Sequence, residues 1–189
     1  DWISYEDIHR LIWKAHAKNR ENGINVHTAE MSGDEITNYL GDEGVCFVAI
    51  EDKKLVGTLS IRYDNQNRWF FCGRIPNCTL LGILPEYQGR HVNSMLAGTV
   101  FEYVQEKEFP AIKLDVKSKN LHAIKIYRHQ GFKKVCYVYK AGDRNDAITM
   151  IKWFGKCPYK EAKRILYLIA SKVKVTLIRA SEKNSKYDI

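Results

Sequence analysis

Apolar residues recur at helical spacing in the first part of the chain, and polar capping signals precede them. The sequence "SYED" at 4–7 resembles a capping box and predicts a helix that continues to about Asn19. Its apolar stripe consists of Ile8, Leu11, Ile12 and Ala15. A second helix start, "SGDE" at 32–35, predicts a short helix that stops at Gly41.

The middle of the chain changes to strand-like runs. Residues 45–63 contain two β-rich runs around the polar turn 51–54 and predict a hairpin. The apolar run "CTLLGIL", 78–84, predicts a buried strand, and a helix is expected from about Val92 to Glu106.

The pattern then repeats with another strand and helix. Residues 111–116 predict a strand, 120–130 predict a helix closed by Gly131, and 132–154 predict a second hairpin. Two central strands that each lead into a helix, flanked by antiparallel hairpins, indicate an α/β (α+β) fold. We expect one domain over residues 1–155, with a mixed, mostly antiparallel sheet and helices on its faces.

The charge is concentrated at the end of the chain. The net charge is +8, and residues 156–189 contain nine Lys and Arg against three Asp and Glu. This basic C-terminal extension is amphipathic and predicts a helix to about residue 171, with a strand over 172–177 as the alternative. It either packs on its own domain or contacts an anionic partner such as a membrane surface, a phosphorylated substrate or nucleic acid, although no nucleic-acid motif is recognised.

The cysteine pattern excludes a disulfide framework and a zinc site. The five cysteines are odd in number and lack CxxC spacing, which favours buried free thiols in a reducing cytosol and no metal. No apolar run approaches the roughly 18 residues that a membrane span requires, so any membrane contact would be peripheral.

The stretch "LPEYQGRHVNSML", 84–96, is typical of a turn that holds phosphate groups. A buried strand ends, a turn follows, and the first amides of a helix then offer donors at the positive end of the helix dipole. His91 and Asn93 stand where such turns usually carry glycine, and both residue types visit positive φ more readily than most. The expected binding residues are Gln88, Gly89, Arg90, His91, Val92, Asn93 and Ser94.

A second piece, "LDVKSKNLHAIKIYRHQGF" at 114–132, gives the first its context. Together they resemble the Gcn5-related N-acetyltransferase (GNAT) superfamily, whose members use acetyl-CoA to acylate amines. The first piece matches the family motif Q/R-x-x-G-x-G/A only at Gln88, whereas the second matches at Asn120, Ala123, Tyr127, Gly131 and Phe132. The resemblance covers residues 45–153. The family's usual first strand is missing before the first helix, which suggests a trimmed start.

The resemblance implies roles for the strand before the turn. The backbone of Leu81, Gly82 and Ile83 would contact the pantetheine arm of acetyl-CoA, and the Ile83 N–H would stabilise the oxyanion. Gly82 would permit this close approach, or it would be only a packing or bulge glycine.

It also implies roles for residues after the next strand. Asn120 would contact the cofactor, or serve only as the cap of its helix. Tyr127 would protonate the departing thiolate, or be an amphipathic core tyrosine. Asp115 would accept the amine proton, through a water if necessary, or pair with a lysine or arginine as an ordinary strand residue.

The same resemblance implies that the acceptor contacts residues 13–23 and the aromatic run 69–71. Aromatic rings beside Arg74 would favour an amino sugar or nucleotide sugar. The predicted function is acetyl transfer to a primary amine of a small molecule or protein. Two alternatives stay open: a non-catalytic module that binds acyl-CoA, and a transferase that uses an aminoacyl-tRNA donor.

Overall fold

The computed structural model describes residues 3–68, 74–138 and 147–155, together with Ile169. Its regular elements in these ranges are five α-helices and six strands. The helices are α1 (Tyr5–Ala15), α2 (Ala17–Glu21), α3 (Gly33–Leu40), α4 (Val92–Glu106) and α5 (Leu121–His129). The strands are β1 (Val45–Glu51), β2 (Lys54–Arg68), β3 (Arg74–Ile83), β4 (Ala111–Lys117), β5 (Lys133–Val138) and β6 (Ala147–Trp153).

The predicted capping box at Ser4 and the predicted helix start at Ser32 are confirmed. The Ser4 hydroxyl accepts from the Asp7 amide, and the Asp7 carboxylate accepts in return from the Ser4 N–H. Ser32 and Glu35 form the same reciprocal pair at the start of α3. That helix ends at Gly41, whose φ of 68° is the left-handed value that favours glycine.

The single helix predicted to run to about Asn19 is wrong. It is divided at His16, which closes α1 with φ −100° and ψ 11° before α2 begins at Ala17. No proline or glycine causes the break, so the apolar pattern gives no sign of it. The break instead coincides with a contact between the His16 ring and β3.

The predicted fold class is confirmed. The six strands form a mostly antiparallel sheet in the order β1-β2-β3-β4-β6-β5, with β3 and β4 parallel. The predicted hairpin β1–β2 closes through Asp52 and Lys53, at φ 47° and 62°, as a two-residue hairpin turn requires.

The chain divides into two compact units, Asp1–Leu114 and Asp115–Ile189. In the first unit, helices cover both faces of the strands. A Cβ at Gly57 of β2 would lie 3.0 Å from Val92 of α4, whereas a Cβ at Gly82 of β3 would lie 2.9 Å from Leu11 of α1. Gly82 pairs with Thr58, the residue after Gly57. Since successive strand residues point to opposite faces, α1 and α4 cover opposite faces of the sheet.

The second unit contains α5 and the antiparallel pair β5–β6. Phe132 and Val135 are buried in it, as are Ile148 and Met150 of β6. The Lys152 Nζ donates to the Gln130 carbonyl at 2.7 Å and so stabilises the C-terminal end of α5.

Several predicted features lie outside the described residues: the aromatic run 69–71, the turn of the second hairpin, and residues 156–189 apart from Ile169. In the part of the chain that the structure describes, no helix is long and apolar enough to cross a membrane. The same part holds no cluster of three metal-ligating side chains. Cys46, Cys78 and Cys136 are free thiols.

Candidate active site

The turn between β3 and α4 carries most of the predicted binding residues. A 3₁₀ turn, Pro85–Tyr87, follows β3, and the chain then reverses through Gly89 at φ 79°. His91 is the N-cap of α4 and adopts φ 62°, so the prediction that it tolerates a glycine-like conformation is confirmed. The His91 side chain is exposed.

Asn93 differs from this prediction because it needs no positive φ. It is the second residue of α4, and its side chain is half-buried. Its Oδ1 is buried and has no hydrogen-bond partner among the residues that the structure describes. The amides of Val92, Asn93 and Ser94 lie in the first turn of α4, where amides have no intrahelical acceptor. The start of α4 therefore carries these amides and the Asn93 Oδ1 as unsatisfied polar groups in the described part of the chain.

The charged and amide side chains of the turn are already engaged. Arg90 lies 3.7 Å from Glu51 and 5.0 Å above the Tyr87 ring. The Gln88 Nε2 donates to the Ile83 carbonyl at 3.0 Å. Binding of an anion at this turn would therefore rest on backbone amides and the helix dipole more than on a cationic side chain.

A bulge interrupts β3 just before this turn. Thr58 and Ser60 of β2 pair with Gly82 and Thr79, so β3 has one more residue than β2 over this interval. Leu80 lies in the bulge with φ 51°, and its side chain is 2% exposed. A left-handed conformation costs a non-glycine residue about 1–3 kcal/mol, so surrounding contacts must hold it.

The bulge is followed by a backbone segment that faces away from β2. The Leu84 N–H donates to the Val56 carbonyl at 3.0 Å, which makes these residues a hydrogen-bonded pair. Because such pairs alternate in an antiparallel ladder, Gly57 and Ile83 form a non-hydrogen-bonded pair. The amide and carbonyl of Ile83 therefore point to the other side of β3.

On that side, the register between β3 and β4 comprises two residue pairs, Asn77 with Lys113 and Cys78 with Leu114. The Ile83 carbonyl accepts from Gln88, whereas the Ile83 N–H has no acceptor within the described ranges. The resemblance implied that the Ile83 N–H would stabilise an oxyanion, and this role stays a prediction.

Gly82 is a packing glycine on one face. A Cβ there would lie 2.9 Å from Leu11 Cδ2 and 3.2 Å from the Ile12 Cα. Of the two interpretations that the sequence left open, close packing against α1 accounts for the missing side chain.

His16 lies in the predicted acceptor region 13–23 but was given no role of its own, and it contacts the predicted site residue Leu81. Its Nε2 lies 2.8 Å from the Leu81 carbonyl, and its Nδ1 lies 2.7 Å from Asn19 Nδ2. A carbonyl can only accept, so Nε2 carries the proton and Nδ1 accepts from Asn19. Burial lowers the pKa of His16, while the bond to Leu81 opposes this shift and nearby Arg20 adds to it.

In the second unit, α5 presents two predicted residues. The Asn120 Oδ1 accepts from the Ala123 amide at 3.0 Å, so Asn120 is the cap of this helix. Tyr127 is half-buried, and its ring meets Phe132 edge to face with centroids 5.9 Å apart.

Asp115, the predicted base, lies on β4 and is exposed. Its Oδ1 accepts a hydrogen bond from the Thr149 hydroxyl at 2.5 Å. The alternative prediction, a pairing with lysine or arginine, is not what the structure describes for this carboxylate.

The predicted acceptor region includes an exposed aromatic residue. Trp13 is 45% exposed, and the Arg20 guanidinium lies 3.6 Å from its ring centroid and donates to its carbonyl at 2.8 Å. Arg74 is engaged elsewhere, in an ion pair with Glu43 and over the Tyr63 ring.

Residues 5–132 match the profile of the acetyltransferase (GNAT) family, about two thirds of the chain. The chain belongs to the GNAT acetyltransferase family. The bulged β3, the turn and the start of α4 all lie within the matched residues, as do Asp115, Asn120 and Tyr127.

Solved structures share the GNAT fold with this chain at low identity. The ribosomal-protein-S18-alanine N-acetyltransferase of Escherichia coli superposes with a TM-score of 0.62 at 15% identity, over 81% of this chain and 89% of that one. The ribosomal-protein-alanine N-acetyltransferase of Brucella melitensis gives 0.60 at 17% identity, over 80% and 97%.

A Bacillus anthracis protein assigned as a streptothricin acetyltransferase, in complex with acetyl coenzyme A, gives a TM-score of 0.53 at 16% identity, over 62% of this chain and 68% of that one. No curated protein matches this GNAT chain.

Proposed function

We propose that this GNAT chain transfers the acetyl group of acetyl-CoA to a primary amine of a small molecule, such as an amino sugar, or of a protein. The observation that carries the proposal is the Ile83 N–H, a backbone donor without an acceptor in the described ranges, on the strand that leads into the turn. Family membership supports the reaction class.

The residues present fit acetyl-CoA. The amides at the start of α4 are donors for a diphosphate, and the Asn93 Oδ1 can accept from an N–H of the pantetheine arm. Gly89, which has no atom within 4 Å of a Cβ built on it, leaves the turn accessible. The pantetheine arm would contact the backbone at Leu81, Gly82 and Ile83, and Asn120 would contribute its amide group.

When bound, acetyl-CoA supplies an activated acyl thioester. The Ile83 N–H would stabilise the negative charge that develops on the thioester oxygen. Asp115, which is exposed, would accept the amine proton through a water, and the Tyr127 hydroxyl would protonate the thiolate sulfur. One C–N bond would form and one C–S bond would break, without a covalent enzyme intermediate. Of the two protons that the ammonium loses, one would pass to Asp115 and on to solvent, and the other would restore the Tyr127 hydroxyl after it has protonated the thiolate.

We expect only some primary amines to serve as acceptors. Trp13 and Arg20 present an aromatic face with a cation at the predicted acceptor region, which suits a planar or hydroxylated amine better than a polyamine. Among neighbours in fold, one is named for a ribosomal-protein alanine and one for streptothricin, so both protein and small-molecule amines belong in the first substrate panel. The free thiols Cys46, Cys78 and Cys136 support a reducing cytosol as the compartment.

Replacement of Tyr127 by phenylalanine tests the role of its hydroxyl. Tyr127→Phe should lower kcat by about 10²-fold or more, as loss of a general acid does, and leave the acetyl-CoA dissociation constant nearly unchanged. Thiol release over an amine panel gives the first quantity and calorimetry the second.

Tyr5→Phe, at a surface tyrosine of α1, is the matched control and should change neither quantity. Equal turnover of Tyr127→Phe and wild type would remove Tyr127 from the mechanism. Acetyl-CoA binding without thiol release on any amine would favour the non-catalytic acyl-CoA-binding module.

A further inference from the structure

His16 bridges the junction of α1 and α2 to the bulged part of β3. Its ring is fixed at both nitrogens: Nε2–H donates to the Leu81 carbonyl at 2.8 Å, and Nδ1 accepts from Asn19 at 2.7 Å. The ring is half-buried, and the helix is interrupted at this residue. A side chain held by two hydrogen bonds at a helix break fixes the carbonyl that it contacts.

The segment that His16 contacts needs such a restraint. Leu80 has φ 51°, and a strained conformation persists only where its surroundings determine it. On one side, β2 pairs with Gly82 and Thr79 around the bulge. His16 contacts the segment independently of β2, at the carbonyl of Leu81, the residue that follows Leu80.

The carbonyls of Leu81 and Ile83, which lie on the same strand edge as the Ile83 N–H, both accept hydrogen bonds from side chains. His16 occupies the Leu81 carbonyl, and Gln88 occupies the Ile83 carbonyl at 3.0 Å. The Ile83 N–H between them has no acceptor within the described ranges. Both carbonyls already accept a hydrogen bond, so the Ile83 N–H favours an incoming carbonyl or oxyanion over another N–H.

We propose that His16 is a positioning residue for acyl transfer: by holding the Leu81 carbonyl, it fixes the backbone that presents the Ile83 N–H to the acyl carbonyl oxygen. The inference rests on the proposed function, because it assumes that the thioester lies at this strand edge. His16 itself does not touch the reacting atoms in this proposal. Asn19 supports it by keeping the Nε2–H tautomer.

The test compares two replacements of different reach. His16→Gln can keep an N–H near the position of Nε2, whereas His16→Asn carries its amide near Nδ1 and cannot reach Leu81. The readout is the ratio of the dissociation constants of CoA and acetyl-CoA, measured by calorimetry. This ratio isolates the acetyl group, since both ligands share the diphosphate and the pantetheine arm.

We expect His16→Asn to lower the preference for acetyl-CoA by about 3–10-fold, the value of one hydrogen bond, with the affinity for CoA unchanged. His16→Gln should restore the wild-type preference. If His16→Asn keeps that preference, or if both affinities fall together in both variants, the positioning role is wrong. If the wild-type chain binds neither ligand, the proposed function fails first and the inference falls with it.

A measurement on the wild-type chain covers the case in which a variant does not fold. Long-range ¹H–¹⁵N NMR at neutral pH should show His16 as the neutral Nε2–H tautomer. Finding the Nδ1–H tautomer, or a ring that exchanges between tautomers, would overturn the proposal whether or not acetyl-CoA binds.

Discussion

Several residues around Gly82 together determine the surroundings of one backbone amide, the Ile83 N–H. Leu80 takes a left-handed conformation, Gly82 leaves room for α1, and His16 and Gln88 satisfy the neighbouring carbonyls. Each contribution is small, since a hydrogen bond is worth about 0.5–1.5 kcal/mol net. Their combined effect is to leave the Ile83 N–H at the strand edge beside two carbonyls that already accept hydrogen bonds.

His16 gives the stability of the protein a defined dependence on pH. Burial lowers its pKa in the folded state below the ordinary value of about 6.5 that it keeps when unfolded. Below about pH 6.5 the unfolded chain therefore binds a proton that the folded chain resists. The free energy of unfolding should fall as the pH is lowered from 6.5 to the folded pKa, by at most about 1.4 kcal/mol per pH unit.

Urea denaturation of wild type and His16→Gln at pH 7.5 and 5.5 measures this contribution. The loss of stability at pH 5.5 should be smaller in His16→Gln than in wild type. His122→Gln, at an exposed position of α5, should behave as wild type does. Identical pH dependence in wild type and His16→Gln would contradict the lowered pKa.

Only part of this residue-level arrangement could be predicted from the sequence. The positive φ of His91 follows from a glycine position that carries histidine. The positive φ of Leu80 could not be predicted, because a leucine inside "CTLLGIL" is typical of a regular buried strand. His16 follows Ala15 in a helical pattern, and the residue that its ring contacts at the helix break is 65 residues away in sequence.

At the scale of elements, the glycine in β3 lies in close packing, whereas the glycine inside α4 does not. Gly82→Ala should lower the free energy of unfolding by about 1–3 kcal/mol, because the new Cβ would lie 3.2 Å from backbone of α1. Gly98→Ala is the matched control inside α4. It has no atom within 4 Å of its new Cβ and should raise stability by about 0.5–1 kcal/mol.

Chemical denaturation of the two variants decides this prediction. A neutral effect of Gly82→Ala would mean that α1 moves away from β3 without cost, and the close packing described above would then carry no energy.

The turn before α4 should bind through its backbone. His91→Gly should raise stability by about 0.5–1 kcal/mol, because glycine adopts φ 62° without strain, whereas His91→Ala keeps that strain. Both variants should bind acetyl-CoA within about threefold of wild type, because the imidazole is exposed and the amides are unchanged.

Thermal unfolding and calorimetry on the pair separate conformation from side-chain binding. A loss of affinity of more than about tenfold in His91→Ala would show that the imidazole itself contacts the ligand.

The elements themselves were largely predictable, because most carry local signals. Capping boxes at Ser4 and Ser32 mark helix starts, and α4 spans Val92–Glu106 as its apolar pattern predicts. The end of the first helix was not predictable, since it depends on tertiary contact and not on a local breaker.

At the scale of the whole molecule, the family match and the positive charge lie in different parts of the chain. Family membership rests on residues 5–132, whereas the positive charge is concentrated in residues 156–189, beyond the match. We therefore propose that any anionic surface contact belongs to the basic extension, and that acetyl transfer belongs to the GNAT portion. The sequence did not identify the acceptor. Residues 69–71, which are expected to contact it, lie outside the described ranges.

Calorimetric titration of the full chain with acetyl-CoA tests the central claim most directly. The account predicts saturable binding at a single site per chain with a dissociation constant below about 1 mM. Absence of binding at that concentration, in a chain shown to be folded, would contradict it.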